Sequence, residues 1–231
     1  MRCAQLIAVF LVPLFGNTSF AQSSDVLAQI KFTHANKQKA AHAQSAGVVI
    51  WLDSTSPDPP SVKPGHFRLV QKDKSFNPHL LVVPLGSVVD FPNMDPFFHN
   101  VFSQYNGKRF DLGLYEEGSN KAVRFDHEGV SYIFCNIHPE MSAVVIALST
   151  PYVSVSSQKG AVELHNVPPG TYEMHVWAEG VDSKQLNALN HRVQIGSSQT
   201  DLGVIQLVEN GVSPHKNKYG QDYFSDREAT Y

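Results

Sequence analysis

The stretch Phe134–Met141, "FCNIHPEM", sets a thiol, an imidazole and a thioether at the spacing Cys-x2-His-x2-Met, on Cys135, His138 and Met141. All three groups bind soft metal ions, and a loop this short can turn His138 and Met141 toward the Cys135 thiolate. A fourth ligand must come from elsewhere. His99, in "DFPNMDPFFHNVFS", is the best candidate, because a Pro-containing loop ends there and a strand begins. Zinc sites favour several thiolates or three hard ligands with an open position, and a thioether contributes little to them. Two His and one Cys with a weak axial Met make the ligand set of a type 1 copper centre, so ligand softness favours copper.

Whether Cys135 is free for that role depends on the compartment. Residues 1–21 carry Arg2, the apolar run "AQLIAVFLVPLF", and Ser19 and Ala21 at the small-residue positions before a signal-peptidase cut. They read as a cleaved secretory signal. The run is shorter than the roughly 20 apolar residues that span a bilayer, no later segment qualifies, and Cys3 lies too near the start to follow a lipoprotein signal. The expectation is a soluble chain, periplasmic or otherwise secreted. Without residues 1–21 the chain keeps 210 of its 231 residues and one of its 2 cysteines. A lone cysteine in an oxidising compartment makes no intramolecular disulfide, which leaves a buried hydrophobe, a free thiol or a metal ligand. Export disfavours the first two. The charge becomes −4, with 17 basic against 21 acidic residues, and no Lys/Arg cluster offers a footprint for nucleic acid.

From residue 28 onward, short runs of Val, Ile, Phe and Tyr are punctuated by Gly, Pro and Asn, which predicts an all-β chain. Candidate strands cover 28–32, 48–52, 67–70, 80–83, 87–91, 100–103, 109–112, 122–125, 130–135 and 142–148. Alternation in "VSYIFC" sets Ser131, Ile133 and Cys135 on one face, opposite Val130, Tyr132 and Phe134, with the thiol at the sheet rim. The Pro-rich stretch 54–65 resists regular structure, and a second boundary falls near Thr150 and Pro151. The resulting division is 22–65, 66–149, 150–209 and a tail, 210–231. The segment "AVELHNVPPGTYEMHVW" reads as an antiparallel hairpin folded about Pro169. Leu164 then faces Met174 and Val162 faces Val176 on the apolar side, with His165 by Glu173 and Glu163 by His175 on the polar side. Those Glu/His pairs are expected to be solvated ion pairs. The tail is polar without alternation and is expected to be poorly ordered, with Tyr219, Tyr223 and Phe224 as local anchors.

The runs "FHNVFS" and "YIFCNIHPEM" together resemble the two copper-binding motifs of the cupredoxins. The short ligand loop is similar to that of amicyanin more than to the longer loops of plastocyanin or azurin. "FNPHLLVVPLGSVVDFPNMD" resembles the front of that domain, so the likeness spans 67–148, and within the group it is greatest to larger secreted methylamine-utilisation-like proteins. It implies a Greek-key β-sandwich in which His99, Cys135 and His138 bind copper equatorially and Met141 axially. It implies that Asn100 fixes the ligand loop by hydrogen bonds. It also implies that His138 has its outer edge near the surface, ringed by Pro139, Phe97, Phe98 and Pro96, as the electron exit. The flanks "GVVIWLD" and "GAVELHNVPPGTYEMHVW" resemble two halves of a carboxypeptidase-regulatory-like or transthyretin-like β-sandwich, into which the copper domain is inserted or on which it packs.

Taken singly, Cys135 is an ordinary core residue, Met141 a gap filler and His138 one loop histidine among 11. The conjunction is what selects copper. Multicopper enzymes need further His-rich sites, and the chain has no His-x-His pair. A type 1 site has no open position for substrate, so the reading is a single-electron carrier and not an enzyme. Its partners would be an exported dehydrogenase, a cytochrome or a membrane respiratory component. Two other classes stay open: copper storage or delivery, and a β-sandwich binding module with a vestigial metal site. His34, His42, His66, His79, His127, His191 and His215 are read as solvated or structural.

Overall fold

The computed structural model describes residues 23–34, 47–104, 107–211 and 215–223; the leader at 1–21 and Phe224 lie outside them. The chain opens with β1 (Ser24–His34) and β2 (Val49–Ser54). It continues through β3 (His66–Arg68), β4 (Val70–Lys72), β5 (Ser75–Asn77), β6 (Leu80–Pro84), β7 (Val88–Pro92) and β8 (His99–Ser103). Then come β9 (Phe110–Tyr115), β10 (Asn120–Arg124), β11 (Gly129–Phe134) and β12 (Ser142–Leu148). It closes with β13 (Val153–Val155), β14 (Ala161–Val167), β15 (Gly170–Trp177), the helix α1 (Ser183–Leu189), β16 (His191–Ile195) and β17 (Thr200–Glu209). Nine of the ten candidate strands are present as strands, the tenth, 67–70, is broken at Leu69 between β3 and β4, and the class is all-β. The short helix begins where the Asp182 carboxylate caps the Lys184 N–H at 2.8 Å. Among the described residues no helix is long and apolar enough to cross a membrane.

The strands form a stack of four larger sheets. One sandwich pairs the sheet β6-β12-β11-β8-β9 with β10-β7-β3, closing on Phe91, Val101, Phe125, Ile133 and Val145. The other pairs β14-β1-β17 with β13-β2-β15-β16, closing on Val26, Ile50, Leu164, Met174 and Leu207. Segments from before 55 and after 152 therefore share sheets across the intervening sandwich. Between the two sandwiches lies a third apolar layer, in which Val49 and Trp177 meet Val144, Ile146 and Leu148.

That third layer explains two runs in the sequence. β12 sends Ala143, Val145 and Ala147 into one core and Val144, Ile146 and Leu148 into the other. β2 likewise divides Ile50 and Leu52 from Val49 and Trp51. Strands covered on both faces have no solvated side to alternate with, so "SAVVIAL" and "VVIWL" read as continuous apolar runs. Each fully buried Ile or Leu there contributes about 1.5–3 kcal/mol. His79 adds a polar link between the sandwiches: Nε2 lies 2.6 Å from Glu179 Oε2 and Nδ1 3.0 Å from the Ser142 carbonyl.

The expected hairpin across Pro169 does not form. β14 pairs with β1, and β15 pairs with β2 and β16, so Pro168 and Pro169 turn the corner between two facing sheets. Leu164 and Met174 do share a core, because alternation decides which face is apolar but not which strand becomes the neighbour. On the polar side His165 lies 3.2 Å from Asp25, Glu173 pairs with Arg192 at 2.8 Å, and His175 stacks on Trp51 with ring centres 5.1 Å apart.

Candidate metal centre

β8 and β11 are antiparallel neighbours, with Phe134 opposite Phe102, so the start of one and the end of the other share a rim. His99 begins β8 and Cys135 follows the last residue of β11. Both are fully buried. The loop that follows folds back at once: the Met141 N–H donates to the His138 carbonyl and the Cys135 N–H to the Met141 carbonyl, each at 3.1 Å. That closure brings His138 over the thiol and buries Met141 completely in the same core as Cys135.

The three donor atoms converge. Cys135 Sγ lies 3.7 Å from His99 Nδ1 and 3.6 Å from His138 Nδ1, and the ligand atoms of the three residues all lie within 4.8 Å of one another. Bonds of about 2.0 Å to nitrogen and 2.3 Å to sulfur, at trigonal or tetrahedral angles, separate the two atoms by about 3.6 Å. The observed spacing therefore suits a shared ion. Among the described residues this is the one His/Cys/Asp/Glu cluster at such spacing.

The surroundings prepare each donor. His99 turns Nδ1 to the sulfur and holds Nε2 2.8 Å from Asp95 Oδ2, so the carboxylate fixes both the ring and its tautomer. Asp95 was not singled out from the sequence. The signal available was a carboxylate four residues before the histidine, in "DPFFH". Asp95 also accepts the N–H groups of Asp73 and Lys74, at 2.7 and 3.0 Å. Those two residues have φ of 55° and 53° and form the two-residue turn of the β4–β5 hairpin, a left-handed conformation that Gly and Asn adopt more readily. The carboxylate thus holds a strained turn and a ligand together. Asn93 braces the loop, accepting the Asp95 N–H at 3.0 Å and donating to the Phe97 carbonyl at 2.8 Å.

Electrostatics follow from these contacts. Burial pushes the Cys135 thiol up, but the His99 ring and the N–H groups of Asn100, Ile137 and His138 outweigh it and hold the thiol below its ordinary value. Burial raises Asp95 too, and the Lys74 and Asp73 N–H groups with the His99 ring bring it below the usual carboxylate range. For His99 burial opposes the charged form, yet Cys135 and Asp95 together leave it raised. A lowered thiol is the state a metal ligand needs.

Asn100 is not bonded through its side chain to the ligand loop. Its amide donates to Asp111 Oδ1 at 2.7 Å, because its place on β8 points that amide toward β9, and its backbone N–H is the group that reaches the sulfur. Phe97 lies inward of where an exit surface would place it, with its ring 5.2 Å from His99 and 5.6 Å from His138, centre to centre. Phe98, Met94, Ile137 and Pro139 are exposed, and His138, between the last two, is partly buried.

No family model matches the chain, and no curated protein does. Solved structures share parts of it. A purple cupredoxin from Nitrosopumilus maritimus is 25% identical over 35% of this chain and 98% of its own, with a TM-score of 0.32. A reduced amicyanin variant is 19% identical over 42% of this chain and 99% of its own, with a TM-score of 0.34. A copper-containing nitrite reductase from Thermus scotoductus is 19% identical over 51% of this chain but only 28% of its own, with a TM-score of 0.36. Scores this low carry no weight for function, and it is the convergence of His99, Cys135 and His138 that marks the site as a candidate metal centre.

Proposed function

We propose that this chain is an exported type 1 copper protein of cupredoxin type that passes single electrons between redox partners. The observation that carries the reading is the placing of two imidazole Nδ1 atoms 3.6 and 3.7 Å from one buried thiol. His99, Cys135 and His138, with Met141 from the same loop, would hold the ion, a donor set that suits copper better than zinc. Copper bound there would supply a one-electron couple between Cu(I) and Cu(II).

The protein's own part is to keep the ligands still. Asp95 and the Asp73–Lys74 turn hold His99, the sulfur accepts backbone N–H groups, and the 135–141 loop is tied at both ends, so little moves between oxidation states. Were Met141 to join the three donors His99, Cys135 and His138, no position would be left for a substrate, which is the basis for proposing a carrier and not an enzyme. The exposed Ile137 and Pro139, which flank His138 in the chain, give an apolar surface against which an exported dehydrogenase, a cytochrome or a respiratory component would dock weakly. The leader read at 1–21 supports a periplasmic or secreted location.

A reversible one-electron wave from the copper-loaded protein in protein-film voltammetry, lost in Cys135→Ser, is the expected result. An ion that is held only as Cu(I), yields no such wave and passes readily to a chelator would indicate copper delivery instead.

A further inference from the structure

Residues 215–223 of the tail lie across the thiolate end of β11, although the sequence offers no alternation there. Tyr223 donates its hydroxyl to the Cys135 carbonyl at 2.7 Å. The His215 ring stacks on Phe134 with centres 4.0 Å apart, and its Nδ1 lies 3.2 Å from the same hydroxyl. With the Tyr223 proton committed to the carbonyl, His215 Nδ1–H is the donor in that second contact. The Lys218 N–H donates to Asn136 Oδ1 at 2.9 Å, and Lys218 Nζ reaches Asp111 Oδ2 at 2.8 Å. Asp111 in turn holds the Asn100 amide, and the Asn100 N–H is among those that stabilise the thiolate. Gln104 Nε2 binds the Lys218 carbonyl.

The segment is also braced within itself. Asn217, nearly buried, accepts the N–H groups of Tyr219 and Gln221, each at 3.0 Å, and its own N–H donates to the Gln221 carbonyl at 2.9 Å. A self-held turn that bonds the main chain of Cys135, the side chain of Asn136 and, through Asp111, Asn100 grips the sulfur's frame on three sides.

We infer that residues 215–223 are a strap that positions the thiolate ligand, with Tyr223 acting on Cys135 and Lys218 acting on Asn136 and Asp111. The strap rests on the copper reading above and adds to it a determinant of metal retention and potential that lies more than 70 residues beyond the ligand loop. The hydrogen bonds act on the ligand from outside the ion's own shell, and losing such a contact typically costs 10–100-fold in metal affinity.

The test uses the full-length protein, loaded with copper, as wild type, Tyr223→Phe, Lys218→Met and, as control, Val204→Ala, whose side chain is 51% exposed on β17 of the other sandwich. Copper release to a chelator, the EPR hyperfine splitting and the reduction potential are measured for each. Tyr223→Phe and Lys218→Met are expected to lose copper about tenfold faster and to shift both splitting and potential, with Val204→Ala unchanged. Wild-type release, splitting and potential in both strap variants, even with a lowered melting temperature, would overturn the strap while leaving the copper site standing. A wild type that takes up no copper would overturn the site itself.

Discussion

The two sandwiches of this chain are built to different rules. The one formed by β1, β2 and β13–β17 buries little that is polar: Ser24, Thr150 and Ser156. Each of those hydroxyls has a backbone partner, as with Thr150 Oγ1 on the Leu52 carbonyl at 2.6 Å and the Val48 N–H on Ser156 Oγ at 2.9 Å. The other sandwich buries Gln71, Asn93, Asp95, His99 and Asn100, as well as Ser87, Ser103 and Ser131. An amide or carboxylate taken from water without compensation costs about 1–3 kcal/mol or more, so aliphatic packing would stabilise that interior better. Asn93 bonds the Asp95 N–H and Asp95 bonds His99, which ties the cost of those groups to the candidate metal centre. One sandwich serves stability, and the other gives some of it up for a site.

The largest effect should come from the plain sandwich and leave the site alone. Leu164, 1% exposed, sits in its core, and Leu164→Ala should cost about 2–5 kcal/mol in urea unfolding. The copper spectrum of the protein that remains folded should be unaltered; loss of the spectrum in step with stability would show that the two regions do not divide the labour.

In the polar sandwich, Asp95→Asn removes the charge that fixes His99 and weakens the hold on the Asp73–Lys74 turn. Copper affinity, measured by competition with a chelator, should fall about 10–100-fold, and an unchanged affinity would mean that the carboxylate only shapes the loop. Met141→Gln makes a finer change: copper is retained and the potential falls, since a harder axial oxygen favours Cu(II). The same potential in both proteins would remove Met141 from the ligand set.

The smallest effect lies at the junction of the two regions. His79 is raised above its ordinary 6.5, first by its hydrogen bond to Glu179, against the opposing effect of burial. A raised histidine stabilises the fold fully below about pH 6.5 and loses that contribution as the pH rises through the folded value. The pair is half exposed and screened, so it is worth about 0.2–1 kcal/mol. Glu179→Gln should therefore melt below the wild type at pH 6 and together with it at pH 9; an equal gap at both would dissociate the pair from stability.

Much of this was legible in the sequence. Strand positions follow from runs of β-branched and aromatic residues, and Cys135, His138 and Met141 announce themselves by close spacing around the one cysteine of the described residues. What was not legible is what depends on distant partners. "VPPG" looks like a hairpin turn until β1 arrives to take the edge of β14. Asp95 looks like a solvated loop carboxylate, and only the β4–β5 turn folding over it gives the donors that let it be buried. Residues 215–223 hold their place through scattered hydrogen bonds and the stacking of His215 on Phe134, for which sequence periodicity leaves no trace.

The most direct test of the central claim is the visible and EPR spectrum of the purified protein, oxidised after loading with one equivalent of copper. The account predicts an intense blue or green thiolate-to-copper(II) band with narrow copper hyperfine splitting, both abolished by Cys135→Ser. A colourless oxidised protein, or one whose bound copper(II) shows the wide splitting of a site without thiolate, would contradict it.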